Sequence, residues 1–255
     1  MISKNELKYI QSLYHKKARD KENAFIVEGP KMVEELLHST FTVKKIWSVP
    51  GLWLENHPDL DTEPITDAEL HKASHLNTPN QVIAVVRPNP LPVELPNVRQ
   101  KLVLMLDGIQ DPGNFGTLIR IADWFGVDFI VASKDCADCY NPKVVQSTMG
   151  SIFRIPVYYT DLPEYLANQT VPVPIYGALL NGKPLGEALN QAPFQSGVLI
   201  IGNESKGIRA ALLPLITTAI RIPAFGKAES LNAAVAAGIL LSHLKLPMSA
   251  APPSS

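Results

Sequence analysis

Three polar loops hold the residues of this chain whose types and spacing suit chemistry. The first, LDGIQDPGNFGTLIRIA from Leu106 to Ala122, sets the amide of Asn114 and the permanent cation of Arg120 six residues apart across a helix start. The second, LIIGNESKGI from Leu199 to Ile208, places Glu204 between Gly202 and Gly207. Such a glycine-bracketed loop could cradle phosphate, but Glu204 would aim negative charge at an anion; a cationic or amphoteric ligand suits it better. In the third, Ile222 to Asn232, a Pro223-x-x-Gly226 turn runs into Ser230, Leu231 and Asn232 at a strand-to-helix junction, where α/β proteins usually bind ligands. Each loop also has a plain structural reading. Asp111-Pro112-Gly113-Asn114 is turn chemistry, Gly202-Asn203-Glu204-Ser205 is a loop with a helix cap, and Arg120 suits a surface salt bridge.

Other candidates are weaker. Cys136 and Cys139 form one C-x-x-C without two further ligands nearby, so they read as incidental to a loop. His71 and His75 stand four apart on an expected helix, but no carboxylate follows His71 as a metalloprotease helix needs, so both read as surface residues. No metal site is expected. The chain has no G-x-G-x-x-G after a first strand, no G-x-x-x-x-G-K-[ST] and no G-x-S-x-G, which argues against dinucleotide enzymes, kinases and serine hydrolases.

The elements that must position these loops can be read in order. Residues 1 to about 20 suggest one helix with Leu7, Ile10, Leu13 and Tyr14 on one face and Lys4, Lys8, Lys16, Lys17 and Arg19 elsewhere. AFIVEG, KKIWSV and QVIAVVR read as strands, with KMVEELLHS (led by Pro30) and ELHKASHL as helices, giving an α/β unit over 1–87. Four prolines between Pro88 and Pro96 favour an extended linker, placed at 88–99. A second domain, 100–248, opens with the buried-strand pattern LVLML and a helix from about Gly116 to Phe125. FIVAS, PVYYT, PIYGALL and GVLIIG follow as strands; their alternation with helices argues a parallel sheet covered on both faces. After a short strand at Ala219–Ile222, a helix restarts with Ser230 at its N-cap. Its Ala233, Ala234, Ala236, Ala237 and Gly238 would let another backbone come close. Residues 249–255 read as a flexible tail.

Composition sets the class. With 255 residues, 46% hydrophobic and 18% charged, the chain suits one large or two modest globular domains. No apolar run approaches the ~20 residues of a membrane span, and the basic amphipathic start lacks a signal-peptide core, so a cytoplasmic protein is expected. The net charge of −1 argues against wholesale coating of a polyanion. Positive charge is nevertheless concentrated at both ends: residues 1–50 carry nine Lys and Arg against six Asp and Glu, whereas 51–100 carry three against seven. A local nucleic-acid footprint therefore stays open.

Together and in this order, the loops resemble the SpoU (TrmH-type) branch of the SPOUT RNA ribose methyltransferases. Their motifs have the forms D-x-x-x-D-P-x-N-x-G-x-x-x-R-x-A, G-x-E-x-x-G and I-P-x-x-G-x-x-x-S-L-N-x-x-x-A, here Asp107 to Ala122, Gly202 to Gly207 and Ile222 to Ala236. The IVEG and TPNQVIAVV stretches also resemble the substrate-binding domain of longer members. One departure is visible, Ala224 where many members carry Met, which should alter packing more than chemistry.

The resemblance implies an α/β architecture with a C-terminal SPOUT domain, a parallel sheet tied in a deep trefoil knot, preceded by a smaller RNA-binding α/β domain. It implies S-adenosylmethionine, touched by Ala178, Leu179, Gly202, Ile222, Gly226 and Leu231, and a homodimer in which one subunit completes the other's site. Arg120 is then catalytic, as base or as electrostatic stabiliser, with Asn114, Glu204 and Asn232 orienting. Ser230 is left between helix cap and substrate contact. Lys16, Lys17 and Arg19 would hold RNA phosphates. The extra N-terminal domain leans towards ribosomal over transfer RNA, and a non-catalytic RNA-binding protein on the same fold is the alternative.

Overall fold

Short aliphatic strands, most of them followed by a helix, set the architecture. The computed structural model describes residues 1–92, 94–169, 172–188 and 196–245. The expected tail at 249–255 and Val93 of the proline-rich stretch lie outside the described residues. In chain order the elements are α1 (Lys4–Ser12), α2 (Lys16–Glu22), β1 (Phe25–Glu28), α3 (Pro30–Leu37), β2 (Thr42–Ser48), α4 (Leu52–Glu55), β3 (Glu63–Pro64), α5 (Asp67–Ala73) and β4 (Val82–Arg87). They continue with β5 (Leu102–Asp107), α6 (Pro112–Trp124), β6 (Phe129–Ser133), α7 (Pro142–Thr148), β7 (Val157–Thr160), α8 (Leu162–Ala167), β8 (Ile175–Pro184), α9 (Leu185–Ala188), β9 (Gly197–Gly202), β10 (Thr218–Arg221) and α10 (Ala233–Lys245). The chain divides into two units, Met1–Leu91 with Asp138–Arg154, and Pro92–Ala137 with Ile155–Ser255.

In the first unit a four-stranded sheet has the order β1-β4-β2-β3, with β4 antiparallel to β1 and β2. Ile10, Leu13, Ile26, Trp47, Leu70 and Ile83 fill its core. The single helix expected over 1–20 is two. Ser3 caps α1 with Glu6 in a reciprocal capping box. The chain then turns after Ser12, where Arg19 donates to the carbonyls of Leu13 and Tyr14, both at 3.0 Å. Residues 138–154 belong to this unit by their rings: Tyr140 stacks on Phe25 with centroids 4.5 Å apart, and Phe153 meets Phe41 edge-on at 5.3 Å.

The second unit is built on a six-stranded parallel sheet of order β10-β8-β9-β5-β6-β7. Central β5 is buried at every position, as a strand covered on both faces must be. α8 packs with the Val103, Met105 and Val131 side of the sheet. α6 and α10 pack on each other and contact β6 and β9. α6 starts at Pro112, four residues before the expected Gly116: Asp111 caps it, accepting the Asn114 N–H at 2.8 Å, and Pro112 takes the first helical position.

The sheet contains one large irregularity. Ala219 of β10 pairs with Gly177, but Ile220 pairs with Lys183, so residues 178–182 of β8 form an excursion between two registers. At its end a Cβ on Gly182 would lie 2.7 Å from the backbone of Ala219 and Ile220. Close backbone approach therefore occurs here, while α10 with its small residues packs on α6. A Cβ on Gly238 would meet Ile121 at an ordinary 3.8 Å. Among the described residues, no helix is long and apolar enough to cross a membrane.

Candidate active site

Asn114 is the junction of the three loops. Its backbone N–H is held by Asp111 in the first turn of α6, and its side-chain amide bridges two other segments. Nδ2 donates to Glu204 Oε1 at 2.8 Å, and Oδ1 accepts from Asn232 Nδ2 at 2.8 Å. Asn232 in turn caps α10, its Oδ1 accepting the N–H groups of Ala234 (2.9 Å) and Val235 (3.3 Å). The expected cap, Ser230, lies on an exposed stretch two residues before it, and Asn232 precedes the helix instead of sitting inside its first turn. Asn232 wins that place because one amide satisfies both the helix end and Asn114.

Glu204 is presented by a loop that closes on itself. Asn203 and Gly207 exchange backbone hydrogen bonds of 3.1 and 2.9 Å, and Asn203 Oδ1 accepts from the N–H groups of Ser205 and Lys206, both at 3.0 Å. Gly207 has φ +67°, and a Cβ on Gly202 would stand 2.3 Å from the Gly207 carbonyl carbon, so both glycines are demanded by the turn. Asn203 Nδ2 donates to the Gly108 carbonyl at 2.8 Å, tying this loop to the one after β5.

Beneath that tie lies a charge network invisible in the sequence. Asp107, 1% exposed at the end of β5, accepts the Arg209 N–H through Oδ2 at 2.7 Å. Arg209 also reaches Asp135, with Nη2 at 2.5 Å from each carboxylate oxygen. Burial pushes the Asp107 carboxyl above its ordinary value, whereas the Arg209 guanidinium holds Asp135 below its own. Ser133 Oγ accepts from the Gly108 N–H and donates to Asp135. Cys136 is not incidental: its thiol, raised chiefly by burial, donates to the Leu106 carbonyl at 3.3 Å and accepts the Ile109 N–H at 3.2 Å. The only sequence signal for this network was a charged residue ending the apolar run LVLML.

The remaining candidates divide. Gly202 ends β9 and Ile222 follows β10, at the carboxyl ends of two strands parallel to β8; Ala178 and Leu179 open the β8 excursion, just past the last pairing of β8 with β9 at Gly177. Gly226, Ser230 and Leu231 lie on the exposed stretch that follows. Arg120 is exposed on α6, about 9 Å along the axis from Asn114 and roughly 240° around it, so the structure does not bring it to the Asn114 junction. A cleft of about 360 Å³ between α6 and α10 is lined by Asn114, Thr117, Ile121, Asn232, Val235 and Gly238, among others.

Of the expected RNA contacts, Lys17 is exposed and Lys16 pairs with Asp20 at 3.0 Å in solvent. Arg19 is not on the solvated face: it is 5% exposed, bonded to Asp138 at 2.6 Å and to two carbonyls. Its role there is to close the turn between α1 and α2.

Comparison with known proteins adds sequence and fold likeness to this geometry. Residues 101–242 match the family model described as the SpoU rRNA Methylase family, and 4–84 match the MRM3-like substrate binding domain. The chain is 39% identical over 241 residues to the 23S rRNA (guanosine(2553)-2'-O)-methyltransferase RlmP of Bacillus subtilis (strain 168), covering 92% of this chain and 94% of that one. Among solved structures, an AdoMet-bound rRNA methyltransferase from Sinorhizobium meliloti superposes with TM-score 0.83 at 26% identity, covering 96% of each chain. The SpoU methyltransferase AviRb from Streptomyces viridochromogenes, in complex with the cofactor AdoMet, gives 0.82 at 26% identity over 95% of this chain and 97% of that one.

Proposed function

The chain belongs to the SpoU rRNA methylase family, and we propose that it methylates the ribose 2′-hydroxyl of a guanosine in large-subunit ribosomal RNA. It is an S-adenosylmethionine-dependent RNA 2′-O-methyltransferase, and the catalytic reading displaces that of a binding protein on the same fold. The observation that carries the reading is the Asn114 junction, which holds residues from all three motifs within hydrogen-bond distance of one side chain. The choice of a guanosine in 23S RNA rests on the Bacillus relative, whose length the chain matches almost completely.

The residues present fit a nucleoside sulfonium. Apolar Leu179, Ile222 and Leu231 can flank an aromatic ring, and the Gly202 strand end offers backbone groups without a side chain in the way. The nearby carboxylate of Glu204 suits a ligand carrying positive charge. When bound, S-adenosylmethionine supplies an electrophilic methyl group. Asn114 and Asn232 keep the first and third loops in register, and Glu204 accepts from Asn114 instead of acting as a base. The Arg120 guanidinium grips the adjoining phosphate and stabilises the alkoxide as it forms, while phosphate or water takes the proton.

Arg120 stands apart from the Asn114 junction of its own subunit, which favours a homodimer in which it serves the partner's site. The exposed Trp124, Leu231 and Val235 supply apolar surface for such a contact. On this reading the 100–248 part carries the family's knot, 1–87 binds RNA with Lys16 and Lys17 on phosphates, 88–99 links them, and the enzyme works in the cytoplasm where ribosomes are built.

Mapping 2′-O-methyl sites in cellular RNA with and without the protein tests the assignment. One 23S guanosine should lose its methyl group; unchanged ribosomal RNA together with a lost transfer-RNA site would overturn it. For Arg120, kcat against pH should keep its ionisation in Arg120→Ala at a much lower plateau. Disappearance of that ionisation with RNA binding unchanged would make Arg120 the base.

A further inference from the structure

The first unit contains a rigid aromatic stack that none of the roles above uses. The rings of Tyr14 and His75 lie 3.6 Å apart between centroids and 7° from parallel. Tyr14 is fixed from behind. Its hydroxyl donates to Glu28 Oε1 at 2.8 Å and accepts the His75 backbone N–H at 3.2 Å. Glu28 is 6% exposed and also accepts from Ser74 Oγ, which in turn accepts the Leu76 N–H at 3.0 Å. His75 itself is exposed. The buried carboxylate thus holds Tyr14 and the start of the 74–81 loop together, and the imidazole on top faces solvent.

The other end of this loop is anchored as well. The Gln81 carbonyl accepts from the Val49 N–H at 2.8 Å and from Ser48 Oγ at 3.2 Å, and Gln81 adopts φ 55°. Between the anchors, Asn77, Thr78, Asn80 and Gln81 are exposed, and among the described residues their side chains make no hydrogen bond. The loop SHLNTPNQ carries no Lys, Arg, Asp or Glu. It offers a ring face and side chains that donate and accept, without the charge that would grip a phosphate. That is the chemistry by which proteins read unpaired RNA, stacking on the base and bonding its edges.

We propose that His75, backed by Tyr14, is a stacking platform for an unpaired base of the RNA substrate, and that the amides of the 74–81 loop read base edges beside it. This rests on the RNA-substrate reading above and adds to it the place where sequence is read.

The test uses the full-length enzyme and 23S RNA, varying RNA at saturating S-adenosylmethionine. His75→Ala should raise KM for RNA about thirtyfold, the middle of the range for losing one base–aromatic stack, with kcat at saturation and cofactor affinity unchanged. His75→Trp should restore KM, and His75→Leu, which keeps bulk over Tyr14 without a π face, should not. Because stacking involves no counterion release, the ratio of mutant to wild-type KM should stay constant as salt rises. An unaltered KM in His75→Ala, rescue by Leu as good as by Trp, or a ratio that shrinks with salt would overturn the proposal. Wild-type enzyme that methylates no RNA would instead condemn the substrate reading on which it rests.

Discussion

Arg209 grips Asp107 through two atoms: its backbone N–H donates to Oδ2 at 2.7 Å, and its Nε lies 2.9 Å from Oδ1 without the alignment of a hydrogen bond. The side chain of Arg209 is half exposed, yet the carboxylate it faces is buried. Truncation of Arg209 to Ala leaves that buried charge short of a partner, a loss of roughly 1–3 kcal/mol. Thermal melts should show a lowered midpoint, with Arg209→Lys in between because it cannot bridge Asp107 and Asp135 in one plane. A wild-type midpoint in Arg209→Ala would show that Asp107 is protonated in the fold.

Acid should loosen the first unit through Glu6. Its hydrogen bonds from Lys45 and then Ser3 lower its pKa from 4.5 to about 2. A carboxylate with a depressed folded pKa contributes stability that is complete above the unfolded value and is lost as pH falls through the folded one. The window is therefore about pH 4.5 to 2. Thermal midpoints of wild type and Glu6→Gln should differ above this window and converge at its lower end; curves that run parallel throughout would refute the assignment.

Asn232 carries two functions that substitution can separate. Asn232→Ser keeps a helix cap, so stability should stay within about 0.5 kcal/mol, whereas Asn232→Ala should lose about 1 kcal/mol. Both remove the bond to Asn114, and both should lower kcat to a similar extent. Full activity in Asn232→Ser would mean that the Asn114 contact is only structural.

Gly202→Ala should be more damaging than a methyl group suggests. The added Cβ would lie 2.3 Å from the Gly207 carbonyl carbon and 2.4 Å from the Ile208 nitrogen, both backbone atoms with no rotamer to yield. We expect about 1–3 kcal/mol of destabilisation together with weakened S-adenosylmethionine binding, read by calorimetric titration. Wild-type affinity and melting would show that the loop opens more freely than its Asn203–Gly207 pairing implies.

Much of this was legible in the sequence, and the reasons differ by residue. LVLML announced a buried central strand because both its faces are covered, and the three loops announced themselves by polar residues where apolar strands end. That Asn114 would join Glu204 to Asn232 was not legible, since neither partner is near it in sequence. Ser230 and Asn232 are comparable capping residues two positions apart, and only the bond to Asn114 decides between them. Arg19 read as a solvated cation because its counterion, Asp138, lies 119 residues away. Arg209 and Asp135 were missed for the same reason: long-range ion pairs leave no local period to read.

The membership of residues 138–154 in the first unit bears on how the chain is made. As translation proceeds, β1 and β4 leave the ribosome long before α7, so Phe25 must wait for Tyr140, and Phe41 for Phe153. The amino-terminal half cannot mature as a finished module ahead of the rest; its last aromatic contacts close only after β5, α6 and β6 have been synthesised. A nascent chain stalled at the proline-rich stretch would still show those rings to water, and to any chaperone that scans for them.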